Sequence, residues 1–205
     1  MPRHRPHTRV TPGVTIAART VDIVDGRPAP VPDPDALVHL QLRRFAGCPV
    51  CNLHLRSMSR RHDEITAAGV REIVVFHSTA TALRPHTYDL PFAVVADPDK
   101  RLYAEFGAES SARSLLDPRA WPTIVRAVAA STWAWLRGRQ PLPTVRPAGG
   151  RYGLPVDILV DPDGVVVAAH YGRHADDQWT VDRLLAEASA VPGLSRSRLA
   201  GAPAG

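Results

Sequence analysis

The segment Gly47-Cys48-Pro49-Val50-Cys51 constrains this chain more than any other. It holds the only two cysteines among 205 residues, three positions apart, where an apolar run at 36–42 gives way to a helical pattern. Residues 37–45 read as a strand. From 48 to 68, Cys51, Leu55, Met58 and Ile65 fall at spacings of four, three and seven, which is one stripe of a helix. Gly69 then supplies a C-terminal stop. A strand that runs into a helix through Cys-x-x-Cys suits thiol–disulfide chemistry. The helix N-terminus offers unpaired N–H groups and partial positive charge to a thiolate, and two intervening residues let the second sulfur close on the first within one turn.

The rest of the chain builds around that junction. Residues 72–77 and 92–96 read as strands buried on both faces of a sheet. The turn Asp97-Pro98-Asp99 opens a short helix carrying Leu102, Tyr103 and Phe106, closed by Gly107. Residues 108–150 break the rhythm as an insertion. Within it, Asp117-Pro118 is a cap and first-turn pair, 121–137 reads as a helix with three tryptophans, and 141–150 is a Pro/Gly-rich loop. Two strands across Asp161-Pro162-Asp163-Gly164 make an antiparallel hairpin. A last helix over 177–190 turns Val181, Leu184, Leu185 and Ala188 to one side. The domain therefore spans 35–192, preceded by an arm at 1–34, loosely packed or a short hairpin, with strand-like patches at 14–17 and 21–24. It is followed by a disordered tail at 193–205.

Two cysteines cannot form a disulfide framework, so the pair is catalytic or metal-binding before it is a staple. The net charge of +5 is almost all arginine, with Lys100 the sole lysine. No basic helix or aromatic-interleaved basic strip stands out, so nucleic-acid binding is not expected. The first residues lead into no apolar core of signal-peptide length. The apolar stretch 120–136 is too short for a span and is interrupted by Arg126, so no membrane partner is expected. A cytoplasmic setting, where the pair rests reduced, follows.

The order strand, Cys-x-x-Cys helix, strand, strand, helix, hairpin, helix resembles the thioredoxin fold. Residues Phe45-Ala46-Gly47-Cys48-Pro49-Val50-Cys51 resemble the active-site segment of peroxiredoxin-like proteins of the alkyl hydroperoxide reductase/thiol-specific antioxidant (AhpC/TSA) group. The segment Leu90-Pro91-Phe92-Ala93-Val94-Val95-Ala96-Asp97-Pro98-Asp99-Lys100 and the later Phe106-Gly107 are similar to that group as well. Gly153-Leu154-Pro155 is similar to the segment that bears the cis-proline of thioredoxin-like proteins. The resemblance covers roughly 35–107 and 150–190. It implies an α/β thioredoxin-like fold, a central mixed β-sheet flanked by helices with a helical insertion.

It also implies an antioxidant enzyme working through a redox-active disulfide: a thiol peroxidase or oxidoreductase with no cofactor, since the sulfurs carry the electrons. Its substrate is then a peroxide or disulfide. Its reductant is an external thiol, thioredoxin-like or of low molecular weight, and a homodimer is compatible with it. Two positions depart from the group. Phe45 stands where it carries threonine or serine, and Pro155 stands roughly where it carries an arginine; Arg43, Arg44 or Arg151 are candidates to replace that cation.

Cys48, at the strand–helix junction, is the expected attacking thiolate, with a lowered pKa. Cys51 is the expected resolving thiol, acting on a sulfenic acid or a mixed disulfide; the sequence leaves the reverse assignment, attack by Cys51 and resolution by Cys48, open. Pro49 has no N–H to lose and presets the first turn. Pro155, through a cis bond, would present backbone to a substrate, and Arg44 would position it. His54, His77, His86 and His170 are candidates for proton transfer. The alternatives are inert core cysteines, a zinc site on Cys48, Cys51 and His54, a disulfide reductase without a peroxide step, and a non-catalytic binding module using the tryptophan-bearing insertion.

Overall fold

Strand β3 (Leu37–Arg43) lies at the centre of a five-stranded sheet, and all seven of its residues are buried. The computed structural model describes residues 8–108, 117–138, 150 and 152–191. β3 pairs in parallel with β4 (Val70–Phe76), which pairs in parallel with β5 (Ala93–Ala96). On its other side β3 pairs antiparallel with β6 (Val156–Val160), and β6 with β7 (Val166–Tyr171). The sheet is therefore mixed, with order β5-β4-β3-β6-β7.

Alternation along each strand gives the sheet two cores. One face carries Leu37, Val74, Phe76 and Leu159. Against it pack α1 (Pro49–Arg60) through Leu55 and Met58, α2 (His62–Ala67) through Ile65, α5 (Trp121–Leu136) through Ala127, and α6 (Val181–Ser189) through Leu184. The other face carries Val38, Leu40, Leu42, Ile73, Val75 and Ile158. Tyr103 of α4 (Arg101–Glu105) and the following Phe106 cover it, together with an N-terminal hairpin of β1 (Arg19–Asp22) and β2 (Pro28–Val31).

Of the two readings of the arm, a loosely packed segment or a short hairpin, the structure has the hairpin, with strands at 19–22 and 28–31 rather than at 14–17 and 21–24. Val21, Ala29 and Val31 alternate inward and are buried. Ile23 bridges to Val95 on the β5 edge, while the amide of Gly13 donates to Val166 O at 2.8 Å on the β7 edge. The arm thus covers backbone that a sheet edge would otherwise leave open.

Two helices differ from expectation. The single helix over 48–68 is broken at Arg61 (φ −118°), where α1 ends and α2 begins. A seven-residue spacing from Met58 to Ile65 spans two turns, so periodicity does not register a one-residue break. Between β4 and β5 lies α3 (Ala80–Thr87), capped by the Thr79 side chain and hidden in the sequence by Pro85 inside it. The hairpin β6–β7 and the helix after Asp117-Pro118 lie where expected, Asp117 accepting from the Arg119 amide. The final helix is shorter than expected and starts from Thr180. The expected tail at 193–205, and the Pro/Gly loop but for Gly150, fall outside the described residues.

Candidate active site

β3 leads directly into the cysteine pair. Gly47 turns the chain with φ +73°, and a Cβ there would sit 2.8 Å from His86 Cε1 of α3, so glycine is required twice over. Cys48 then caps α1: its Sγ accepts from the Cys51 amide at 3.3 Å, and its carbonyl takes the first helical bond, from Asn52. Pro49 occupies the first turn, as expected, where no amide partner is needed. Both thiols are free, and they are buried, at 1% and 3% exposure.

Arg44 supplies the charge. It follows the last residue of β3, is 97% enclosed by the fold's interior faces and loops (3% exposed), and donates from Nη2 to Cys48 Sγ at 3.0 Å. The Phe45 ring lies 5.8 Å from its guanidinium carbon. The two sulfurs titrate as one unit. Burial opposes charge on Cys51, but the adjacent Cys48 thiol and Arg44 hold its pKa down to about 5. Burial, its hydrogen bond with Cys51 and the Cys51 charge push Cys48 well above the ordinary thiol value. The first proton leaves easily because Arg44 faces both sulfurs; the second is held. The lowered first ionisation belongs to the pair, and Arg44 Nη2 and the Cys51 amide both donate to Cys48 Sγ.

The Gly153–Pro155 loop approaches the same cluster, but through Gly153. A Cβ on Gly153 would lie 3.4 Å from Arg44 Cγ and 3.5 Å from His77 Nε2. Pro155 is buried, and its carbonyl accepts from the Gly172 amide at 2.9 Å at the start of the β6–β7 ladder. Its peptide bond is trans, and the cis bond found among the described residues is Val31–Pro32. The expected cis-proline is therefore corrected: pairing with β7 fixes Pro155 as a strand-entry residue.

The four histidines separate. His77, at the end of β4, is buried beside Tyr103 and Phe45, with neither ring nitrogen hydrogen-bonded to protein; burial holds its pKa down to about 4. His86 rests against Gly47 and is likewise lowered by burial. His54 turns away from the sulfurs to Arg43, its Nε2 3.2 Å from Nη2. Burial and the Arg43 charge keep it neutral. Cys48, Cys51 and His54 do not come together as a metal-holding group among the described residues. His170 pairs with Asp177 instead. Arg151 lies outside the described residues.

Sequence reasoning missed the polar layer under α1. Arg43 and Asp157 form an ion pair at 2.5 Å with both side chains fully buried. Asp157 also takes His39 Nε2 at 3.0 Å and the Trp179 amide at 3.2 Å. Arg43 reaches Gln41 Oε1 at 2.8 Å, Gln41 reaches Glu72, and Glu72 meets His62. Arg43 and His39 hold the Asp157 carboxyl, despite its burial, below the usual carboxylate range. The signal was present: His39, Gln41 and Arg43 alternate with Val38, Leu40 and Leu42, the period of a strand with one polar face.

A model of the AhpC/TSA antioxidant enzyme family matches residues 57–174, more than half of the chain. The chain belongs to this family. Thiol-dependent oxidoreduction is the general chemistry that membership supports, although the match begins within α1, beyond both cysteines. The fold agrees. The chain is similar to peroxidoxin BcpB from Mycobacterium tuberculosis at 14% identity and TM-score 0.63, over 89% of this chain and 99% of that one. Peroxiredoxin 6 of Arenicola marina aligns at 13% identity and TM-score 0.62, over 88% and 72%. Peroxiredoxin Q of Xanthomonas campestris aligns at 14% identity and TM-score 0.56, over 91% and 97%. No curated protein matches in sequence. No helix among the described residues is long and apolar enough to cross a membrane.

Proposed function

We propose that the chain is a peroxiredoxin-like thiol peroxidase that reduces a peroxide through a dithiol/disulfide cycle of Cys48 and Cys51. The observation that carries this reading is Arg44, whose guanidinium touches Cys48 and whose charge favours a thiolate on the pair. One proton is shared between the sulfurs. With that proton on Cys51, the charge lies on Cys48 at the helix cap, where Arg44 and the Cys51 amide donate to its sulfur.

The Cys48 thiolate then attacks the terminal oxygen of ROOH. An S–O bond forms, the O–O bond breaks, and the departing RO⁻ takes the proton from Cys51. The Cys51 thiolate attacks Cys48 Sγ, closing the disulfide and expelling hydroxide, which is protonated by solvent to water. One ROOH thus becomes ROH and water as the pair gives up two electrons. An external thiol reductant, thioredoxin-like or of low molecular weight, reopens the disulfide in a reducing setting such as the cytoplasm. Arg44 is placed to attract and orient the peroxide, the role the family gives to a cation near Pro155. Phe45 replaces the family's hydroxyl and braces Arg44 instead.

The test is peroxide consumption in a single turnover by pre-reduced wild type, Cys48→Ser and Cys51→Ser. The reading expects rapid loss of two thiols in the wild type, no fast phase in Cys48→Ser, and a trapped sulfenic acid in Cys51→Ser. The fast phase surviving in Cys48→Ser would reassign attack to Cys51. Oxidation no faster than that of a free thiolate would refute the peroxidase and leave disulfide exchange as the activity to assay.

A further inference from the structure

Helix α5 turns its most apolar side outward. Ala127 and Ser131 are buried on the side that meets the core, whereas Trp121, Val125, Val128, Trp135 and Leu136 are between 42% and 67% exposed. Positions 121, 125, 128, 132 and 135 recur every three or four residues, so these groups form one stripe along the helix, interrupted only by Thr132. Trp133 extends it on one flank and is 57% exposed. Three tryptophan side chains, each about half exposed, leave roughly 400 Å² of ring surface in water. That alone is comparable to the largest apolar patch of an ordinary monomer.

The charge along the described helix is mostly positive. Arg119, Arg126 and Arg137 lie within 118–138, which holds no Asp or Glu, and Asp117 stands just before it as the cap of the first turn. Arg126, Trp133 and Arg137 are seven and four residues apart and share a flank, with the Arg137 guanidinium 4.3 Å from the Trp133 ring centroid.

Self-association through this face would bring Arg126 of two antiparallel copies together near the helix midpoint. A nucleic acid would satisfy the arginines but would leave Val125, Val128 and Leu136 against sugar and phosphate. An anionic bilayer satisfies both: acyl chains receive the stripe, headgroups receive the guanidinium groups, and tryptophan is at home at the boundary.

We propose that α5 docks this protein in the plane of anionic lipid bilayers, with the Trp121–Trp135 stripe inserted and Arg126 and Arg137 at headgroup level. The absence of a membrane-spanning segment does not oppose this. Sixteen residues make a helix of about 24 Å, too short to span the hydrocarbon yet long enough to lie in its surface. Docking uses the side of α5 turned away from the core that it shares with the cysteine pair, and does not depend on which thiol reaction the pair performs.

The test is co-sedimentation of the full chain with vesicles of phosphatidylcholine alone or of phosphatidylcholine with phosphatidylglycerol, read together with tryptophan emission. Binding to the phosphatidylglycerol vesicles, much weaker binding to phosphatidylcholine, and a blue shift are expected. Each arginine near an anionic surface contributes about fivefold, so Arg126→Gln/Arg137→Gln should weaken binding about 25-fold. Trp121→Ser/Trp135→Ser should abolish it, and both doubles change exposed side chains, so circular dichroism should stay native. Failure to bind the anionic vesicles overturns the proposal. So does preferential binding of a single-stranded DNA of about 20 nucleotides, long enough to cover a site of the usual single-strand size of about 4–16 nucleotides. A dimer that the tryptophan variants dissociate, or tryptophans in the free monomer already shielded from acrylamide, would give the face to a second copy or to the chain's own residues, and would equally overturn it.

Discussion

Replacing Arg44 by methionine keeps most of the buried volume and removes the charge that faces both sulfurs. With Nη2 3.0 Å from Cys48 Sγ, Coulomb's law at an effective dielectric of about 20 gives roughly 5 kcal/mol of bare attraction. That is an upper limit, because burial also costs the guanidinium its hydration. An opposite charge at this range ordinarily shifts a pKa by about 1–3 units. The first ionisation of the pair, about 5 in the wild type, should therefore rise to roughly 6–8 in Arg44→Met. The assay is ultraviolet thiolate absorbance of the reduced protein against pH, which does not require reagent to reach the buried sulfurs. Alkylation rate at neutral pH is a poorer readout. A higher pKa lowers the thiolate population but makes each thiolate more nucleophilic, with a Brønsted slope of about 0.4–0.5, so that rate should change by less than about tenfold. An unchanged midpoint in Arg44→Met, or no thiolate in the wild type until the ordinary cysteine range, would refute the assignment of Arg44 as the charge that makes the pair acidic.

Asp157→Asn leaves Arg43 buried without its counter-charge, and breaking such a pair costs about 3–5 kcal/mol. For a chain of this size that lowers the Tm by about 10 °C in thermal unfolding at neutral pH. The Asp157 carboxyl is held below its ordinary value, so its contribution is complete above the unfolded value and is lost as pH falls toward the folded one. The gap between wild type and variant should persist to about pH 4 and narrow below it. Gly47→Ala forces a side chain into φ +73° and against His86, and should cost about 1–3 kcal/mol by urea denaturation. His86→Ala uncovers Gly47 beside the pair. It should accelerate iodoacetamide labelling of the native thiols while global stability moves by less than about 1 kcal/mol; an unchanged labelling rate would place the cover elsewhere.

The strands and the Cys-x-x-Cys junction were legible because period-two and helical patterns are local. Leu37 to Arg43 alternates between two cores, and Cys51, Leu55 and Met58 recur on one face of α1. What escaped was either interrupted or long-range. Pro85 disguised α3 as a loop, although Thr79 was a ready cap for it. The arm read as either loose or a hairpin because composition does not reveal that Val21, Ala29 and Val31 meet the far face of the sheet. The polar layer escaped for a third reason. Asp157 and Arg43 are 114 residues apart, and each taken alone reads as the hydrophilic exception in an apolar strand. Pro155 shows the reverse error, since a Leu-Pro before a strand carries no local signal of cis or trans.

The placement of charge around the pair explains why so few residues do so much. A buried thiolate is unfavourable unless a cation is buried with it, and a buried cation needs its own support. Arg43 ends β3 and Arg44 is the next residue, and the two side chains go to different partners. Arg43 enters the layer under α1, where Asp157 neutralises it. Arg44 meets the sulfurs, and the thiolate itself provides its counter-charge. Oxidation to the disulfide removes that counter-charge and leaves Arg44 under the loop of Gly153 and beside Phe45. The reduced pair is thus stabilised by a contact that the oxidised pair lacks, which raises the reduction potential of the disulfide and makes it easier for an external thiol to reopen.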